Sequence, residues 1–281
     1  MSGVLYIVAT PIGNLGDISL RAIDTLKQVD LIAAEDTRHS MRLLNHLGIS
    51  KKLISLHEHN EDSRVEVMLE NLVAGINIAL ISDAGTPLIS DPGYALVKAA
   101  TGAGIKVCPV PGACSIIAAL SGSGLPTDKF TYYGFLPQKN AERIARLELI
   151  KGQKGTLVLL ESSHRIERLL EQLADVLPLN LIVVAKELTK LHERFVRGKA
   201  ADLIEIFNRD PTLCKGEFVV LIDNPIAEEK GQDNQDDIKL LELLLAELPL
   251  KKAVQLATRI SAKKKNYLYQ LALGIDVGSK R

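Results

Sequence analysis

The chain has few of the features that mark the commonest sites and locations. Its 281 residues hold only three cysteines, Cys108, Cys114 and Cys214. An odd number without paired spacing argues against a disulfide framework and a cysteine zinc site, and fits a reducing compartment. Net charge is also missing: 34 basic residues cancel 34 acidic ones, so any signal for a nucleic-acid partner must lie in how charge is distributed. No uninterrupted apolar run approaches the roughly 20 residues of a membrane-spanning helix. The first residues, Met1-Ser2-Gly3-Val4-Leu5-Tyr6-Ile7-Val8-Ala9, carry no basic region ahead of their apolar run and meet Pro11 and Gly13 at once. They read as a first strand and not as a signal peptide, and the expected location is the cytoplasm. Two nucleotide signatures are absent as well. Gly13 and Gly16 give G-x-x-G where a dinucleotide fingerprint needs G-x-G-x-x-G, and no Gly-Lys-Ser or Gly-Lys-Thr follows, which disfavours NAD and ATP.

What is present is an α/β pattern long enough for two domains. Short β-branched or apolar runs at residues 4–9, 31–34, 53–56, 78–81 and 106–110 alternate with helical segments at 18–26, 41–47, 65–73, after Pro92, and 114–120. Such alternation predicts a mostly parallel sheet over residues 1–122. Small and turn-forming residues at 121–127 read as a solvent-exposed boundary. A second α/β domain is expected over 123–226, with strands near 130–133, 156–160, 181–185, 195–197 and 217–222. The short gap between 186 and 194 implies some antiparallel pairing and so a mixed sheet. Residues 227–237, with Glu228, Glu229, Asp233, Asp236 and Asp237, lack apolar periodicity and read as an acidic linker. The final segment, 238–281, reads as a small helix-turn-helix module. Between Lys251 and Arg281 it carries eight basic residues against Asp276 alone, a segregation of charge suited to phosphate contact.

Three loops stand out. The run 82–93, Ser-Asp-Ala-Gly-Thr-Pro-Leu-Ile-Ser-Asp-Pro-Gly, follows a strand and concentrates glycine, proline and short polar side chains. The loops 9–17, where Asp17 or Ser19 can cap the next helix, and 110–115 are of the same kind. If their strands are parallel, all three converge on one crevice at the carboxyl ends, where ligands bind in open α/β sheets. Other residues are open to plainer readings. His57-Glu58-His59 has metal-ligand spacing without an evident third ligand, so RNA or structural hydrogen bonding is preferred for His57. Thr37 reads as a helix cap, with Glu35 and Asp36 beside the helix start, while Arg38 and His39 suit substrate contact. Arg165 offers a guanidinium for phosphate.

Taken together, Thr10-Pro11-Ile12-Gly13-Asn14-Leu15-Gly16-Asp17, Ala34-Glu35-Asp36-Thr37-Arg38, the run 82–93, and residues 111–115, 134–137, 161–165, 186–190 and 216–218 resemble the tetrapyrrole (corrin/porphyrin) methylase superfamily. Within it they resemble the branch that methylates the 2′-oxygen of a cytidine ribose in 16S rRNA of the small ribosomal subunit. Ser163 departs from the proline more common in that branch. The resemblance implies two α/β domains of the tetrapyrrole methylase type with S-adenosylmethionine in the cleft between them, and a homodimer. It implies cofactor contacts from Pro11, Gly13, Asp83, Ala84, Gly85, Thr86, Pro87, Ile89, Ser115, Leu160 and Glu161. Substrate RNA would meet Arg38, His39, His57, Arg165, Lys263, Lys264 and Lys265. Methyl transfer needs an in-line ribose oxygen and benefits from proton removal. Glu35 with Asp36, or Lys186 with Glu187, could serve; the second pair is favoured, with the ammonium stabilising a developing alkoxide. A small-molecule tetrapyrrole methyltransferase and a non-catalytic RNA-binding assembly factor are the alternatives.

Overall fold

The computed structural model describes residues 2–57, 61–225, 232–261 and 263–275; His59 and residues 227–231 of the expected linker fall outside them. Residues 1–224 make one compact unit and 225–281 another.

The first unit begins with β1 (Val4–Val8), α1 (Leu20–Gln28), β2 (Leu31–Ala34), α2 (Thr37–His46), β3 (Lys52–Ser55), α3 (Glu61–Val73), β4 (Ile78–Ile81), α4 (Tyr94–Gly102) and β5 (Lys106–Val110). These strands form a sheet in the order β3-β2-β4-β1-β5, and every pairing is parallel. The central strands β2 and β4 are buried at all four residues, as a sheet covered on both faces requires. Leu5, Leu31 and Leu80 turn to one face, against Met68 and Leu72 of α3 and Leu96 of α4. Val8, Ile32 and Ile81 turn to the other, against Leu26 of α1 and Leu44 of α2. The chain thus moves outward from β1 to β3 on one face and returns through β4 to β5 on the other.

There follow α5 (Ser115–Ser123), β6 (Phe130–Phe135), α6 (Asn140–Lys151), β7 (Gly155–Ser162), α7 (Ile166–Val176), β8 (Ile182–Lys186), β9 (Arg194–Gly198), α8 (Ala200–Arg209) and β10 (Glu217–Asn224). The second sheet has the order β6-β7-β10-β8-β9. Its β6–β7 pair is parallel and the others antiparallel, the mixed sheet expected. Leu147, Leu170 and Leu203 from α6, α7 and α8 cover one face. The opposite face, Val158, Val183, Val219 and Leu221, packs against Ile116, Ala119 and Leu120 of α5 and against Ile12 from the first sheet's edge.

The expected boundary at 121–127 is exposed at Ser121, Gly122, Gly124, Pro126 and Thr127, but it is not a free hinge. The end of α5 is strapped to the second sheet: Arg197 donates from Nη2 to the Gly122 carbonyl at 2.7 Å and from Nε to the Ser123 carbonyl at 3.0 Å. The Phe195 ring leaves no room for a side chain at residue 122. Glycine and serine there allow close approach of α5 to β9, a role that composition does not distinguish from a hinge.

The second unit holds α9 (Gln232–Glu247), α10 (Leu250–Ser261) and α11 (Lys265–Gly274) around Leu241, Val254, Ala257, Leu268 and Ala272. Helix α9 begins inside the stretch read as an acidic linker. The reason is visible at Asp237, whose buried carboxylate accepts from Lys263 Nζ at 2.8 Å; its charge is neutralised by a residue remote in sequence.

Candidate functional site

The three loops meet at the carboxyl end of the first sheet, and main-chain hydrogen bonds stitch them together. Thr10 and Gly85 exchange N–H to carbonyl bonds of 2.8 and 3.0 Å. The Thr10 hydroxyl donates to the Ser82 carbonyl at 3.1 Å, and that of Thr86 to Ala113 at 3.1 Å. Gly85 takes φ +86°, which a glycine adopts without penalty. Two residues of the same loop, Leu88 at +74° and Ser90 at +66°, hold left-handed backbone without being glycine. Strain of that kind persists only where surrounding contacts over-determine it, and it concentrates at ligand sites. Here Ser90 Oγ lies 2.5 Å from the Tyr132 hydroxyl of β6, while Glu61 accepts the Gly93 and Ala95 N–H groups at the start of α4.

Between the two sheets lies a cavity of about 520 Å³. Ile12, Asp83, Ala84, Ile89 and Ser115 form its first wall, and Leu160, Glu161, Ala185, Leu188 and Phe218 its second. A cleft of about 330 Å³ adjoins it, sharing Ile12, Asp83, Ala84 and Glu217 and adding Pro11, Gly13, His39, Arg42 and Lys190. Gly85 and Thr86 border a small recess with Ile89, Ser115 and Leu160, with Pro87 next in the chain. The expected cofactor residues are therefore gathered around one interdomain space. At Gly13 a side chain would run into Lys190, so glycine is what lets the first loop approach the β8–β9 turn.

Charge is concentrated on the second wall. Glu161 is 2 % exposed and Arg143 1 %; their ion pair is 3.2 Å long, and Arg165 Nε stands 3.2 Å from the other Glu161 oxygen. Burial pulls the Arg143 guanidinium below its ordinary range, opposed by the Glu161 charge. Arg165 is thus turned inward: its Nη2 donates to the Leu136 carbonyl at 2.6 Å and to that of Pro137. It anchors the base of the wall, contrary to its expected role in facing phosphate.

Lys186 and Glu187 also differ from expectation. They line a separate cavity of about 470 Å³ that meets the main one at Gly216. Glu187 Oε1 accepts from Lys190 Nζ at 2.9 Å and from the Glu217 N–H at 3.0 Å, and Lys190 Nζ also donates to Glu217 Oε2 at 3.0 Å. Burial alone would raise Glu187, but the Lys190 hydrogen bond and the Glu217 N–H outweigh it and hold the carboxyl below its usual range. Likewise burial would lower Lys190, while the hydrogen bonds it donates to two carboxylates leave it raised. Of the two lysines, Lys190 is the one that reaches the cleft, and Glu187 acts behind it.

Other expectations resolve locally. Asp36, not Thr37, caps α2, accepting from the Arg38 N–H at 2.8 Å; that bond holds its carboxyl below the usual range. Asp36 stands in extended backbone at the cap position, whereas Thr37 is already the first residue of the helix. Its own N–H donates to Asp83 Oδ1 at 3.1 Å, tying α2 to the central loop. Arg38 is exposed and His39 lines the cleft. His57 lies just past β3, at the sheet's edge. Lys263 is tied to Asp237, whereas Lys264 and Lys265 remain exposed at the start of α11. Residues not anticipated include Lys190, Glu217, Arg42, Asp91 and Arg143. Asp91 lines the main cavity with its carboxyl raised, chiefly by burial and further by Asp83, against a Ser82 hydrogen bond. Arg143 had a sequence signal: it shares the buried face of α6 with Leu147 and Ile150, and a charge at that spacing marks a buried ion pair.

Residues 4–204 match the family Tetrapyrrole (Corrin/Porphyrin) Methylases, and residues 231–276 match the RsmI C-terminal HTH domain. Curated relatives include ribosomal RNA small subunit methyltransferase I of Escherichia coli O157:H7, 49% identical over 272 residues that cover 96% of this chain and 95% of the relative. The protein of the same name from Pasteurella multocida is 47% identical, covering 97% and 98%. Among solved structures, the methyltransferase CobJ superposes with a TM-score of 0.59 at 20% identity over 82% of this chain and 98% of that one. Uroporphyrin-III C-methyltransferase from Thermus thermophilus, complexed with S-adenyl homocysteine, gives 0.53 at 18% over 78% and 97%. The structural likenesses speak to fold; the family match and the relatives speak to descent, and by them the chain belongs to the tetrapyrrole (corrin/porphyrin) methylase family.

Proposed function

We propose that this chain transfers a methyl group from S-adenosylmethionine to the 2′-oxygen of a cytidine ribose in 16S rRNA of the small ribosomal subunit. The observation that carries the reading is the interdomain cavity, walled by three backbone-rich loops and by Leu160 and Glu161, in a chain whose relatives over nearly its full length are named as small-subunit rRNA methyltransferases. At about 520 Å³ the space suits a nucleoside-sized ligand, and its apolar lining with a few converging polar groups is what such a site needs. Pro11, Gly13, residues 83–89, Ser115, Leu160 and Glu161 would hold the cofactor. Bound there, S-adenosylmethionine supplies an electrophilic methyl group on a sulfonium.

The chain's own residues do the rest. Ile12, Leu160 and Leu188 exclude water from the cavity. Lys190, held by Glu187 and Glu217, offers a fixed positive charge in the adjoining cleft, where it stabilises a ribose oxygen that becomes anionic. Glu217, which borders both spaces, takes the hydroxyl proton in this reading. Glu187 positions Lys190 and does not itself meet substrate. His39, Arg42 and exposed Arg38 extend the cleft for RNA, with Lys264 and Lys265 as phosphate contacts of the terminal module. We assign the chain to the cytoplasm and to a homodimer, in keeping with the resemblance; among the described residues no helix is long and apolar enough to cross a membrane.

Incubating the purified chain with labelled S-adenosylmethionine and either small ribosomal subunits or porphyrin precursors tests the reading. Label is expected in the subunits, and mass spectrometry should find one ribose methyl missing from rRNA of cells lacking the protein. Label confined to porphyrin precursors, or none in either, would overturn it.

A further inference from the structure

The cavity behind Gly216 has a chemistry of its own. Lys186 is 6 % exposed, ends β8, and borders this space with His192, Arg194, Thr212 and Lys215. Strand register sets Lys186 directly across from Arg194 on β9, so two cations share one face of an antiparallel pair, an arrangement that repels unless a negative group lies between them. The nearby carboxylates are already engaged. Glu187 holds Lys190 and the Glu217 N–H. Asp210 holds Arg194 at 3.5 Å and the Thr212 N–H and hydroxyl. Among the described residues no carboxylate pairs with the Lys186 ammonium or with that of Lys215. The Lys186 charge reaches Glu187 and Asp210 at longer range, where it helps to lower both carboxyls; a buried lysine with no direct partner is still costly, and an anion that enters the cavity offsets that cost.

We propose that this cavity is a phosphate subsite for the substrate RNA, with Lys186 as its buried cation and Arg194 and Lys215 around it. The inference rests on the proposed function, because Gly216 borders both this cavity and the interdomain one. A strand whose ribose lies at the cleft can lay a neighbouring phosphodiester past Gly216 into the subsite. Arginine's planar fork and the lysine ammoniums suit phosphate oxygens. Glycine at 216 adopts φ +106°, and a side chain there would strike the Glu187 carboxylate, so the passage between the two spaces is kept by the glycine itself.

The test uses the full chain with small ribosomal subunits, comparing wild type with Lys186→Met and Lys215→Ala. Each substitution should raise KM for subunits with the loss falling on KM more than on kcat. Each should also shrink the slope of log affinity against log salt by about one. Affinity for S-adenosylmethionine by calorimetry is the control for an intact first site. If Lys186→Met fails to fold, Lys215→Ala and Arg194→Ala, at exposed positions, read the same slope. Unchanged KM and unchanged slope in the folded variants would overturn the subsite. So would inorganic phosphate that stabilises wild type but not Lys186→Met while KM stays the same, which would mark a site for a free anion. The slope is read by binding alone, so a wild-type chain that binds subunits without methylating them would count against the proposed function and leave this inference standing or falling on its own.

Discussion

The two walls of the cleft are built on opposite principles. The first comes from a parallel sheet whose loops present backbone and small side chains, stitched by main-chain bonds between Thr10 and Gly85. The second comes from a largely antiparallel sheet and presents ion pairs: Glu161 between Arg143 and Arg165, and Lys190 between Glu187 and Glu217. One wall selects by shape and the other fixes charge. A parallel sheet gathers loops because all its strands end on the same side, whereas the second sheet receives its charge partners from a helix and a turn packed against it.

Removing charge from the second wall should have the largest effect. Glu161→Ala leaves two inward-turned guanidiniums without their carboxylate, and breaking a buried pair in this way costs about 3–5 kcal/mol; denaturant unfolding should register it, and a loss under 1 kcal/mol would show that water enters to take the carboxylate's place. On the first wall, Gly85→Val forces a branched residue into φ +86° and sets its Cβ 3.2 Å from Ile12 Cγ2. Strain of about 1–3 kcal/mol should weaken S-adenosylmethionine binding by up to about a hundredfold, read by calorimetry. Equal weakening by Glu161→Gln at preserved stability would erase the distinction between the walls.

The smallest effect belongs to Glu187→Gln. The partly buried pair contributes about 1 kcal/mol or less, but its pH dependence is distinctive. Glu187 is held low in the fold, so its stabilisation is full above the unfolded carboxylate range and lost as pH falls through the lowered folded value. Lys190 is held high, so its share is full below the unfolded ammonium range and lost as pH rises through the raised folded value. The difference in melting temperature between wild type and Glu187→Gln should therefore be flat near neutrality and vanish toward acid. A difference that persists below the carboxylate range would mean that the glutamate acts by packing and not by charge.

The first wall was legible in the sequence because its signals are local. The Gly and Pro of residues 82–93, set after an apolar strand, announce both a tight loop and its place at a strand's carboxyl end. The two-domain α/β class was equally legible from the alternation of periods. The second wall was not. Arg143 and Glu161 are separated by 18 residues and Lys190 and Glu217 by 27, and no local pattern states which charges will face each other. The same blindness placed Arg165 outward, set Lys186 and Glu187 in the reacting space, and read the start of α9 as linker.

The order of residues by itself determined which segments become strands and helices, that five parallel strands build the first sheet, and that glycine-rich turns would gather at one end. Folding in three dimensions decided the partners. It buried Glu161 between two arginines, drew Lys190 forward while sending Lys186 behind Gly216, and packed α5 on the second sheet. Hydrophobic period is written within a few turns of chain, whereas Arg143 reaches Glu161 from a helix and Lys190 reaches Glu217 from a turn, and only the packing of those elements on the second sheet brings them together.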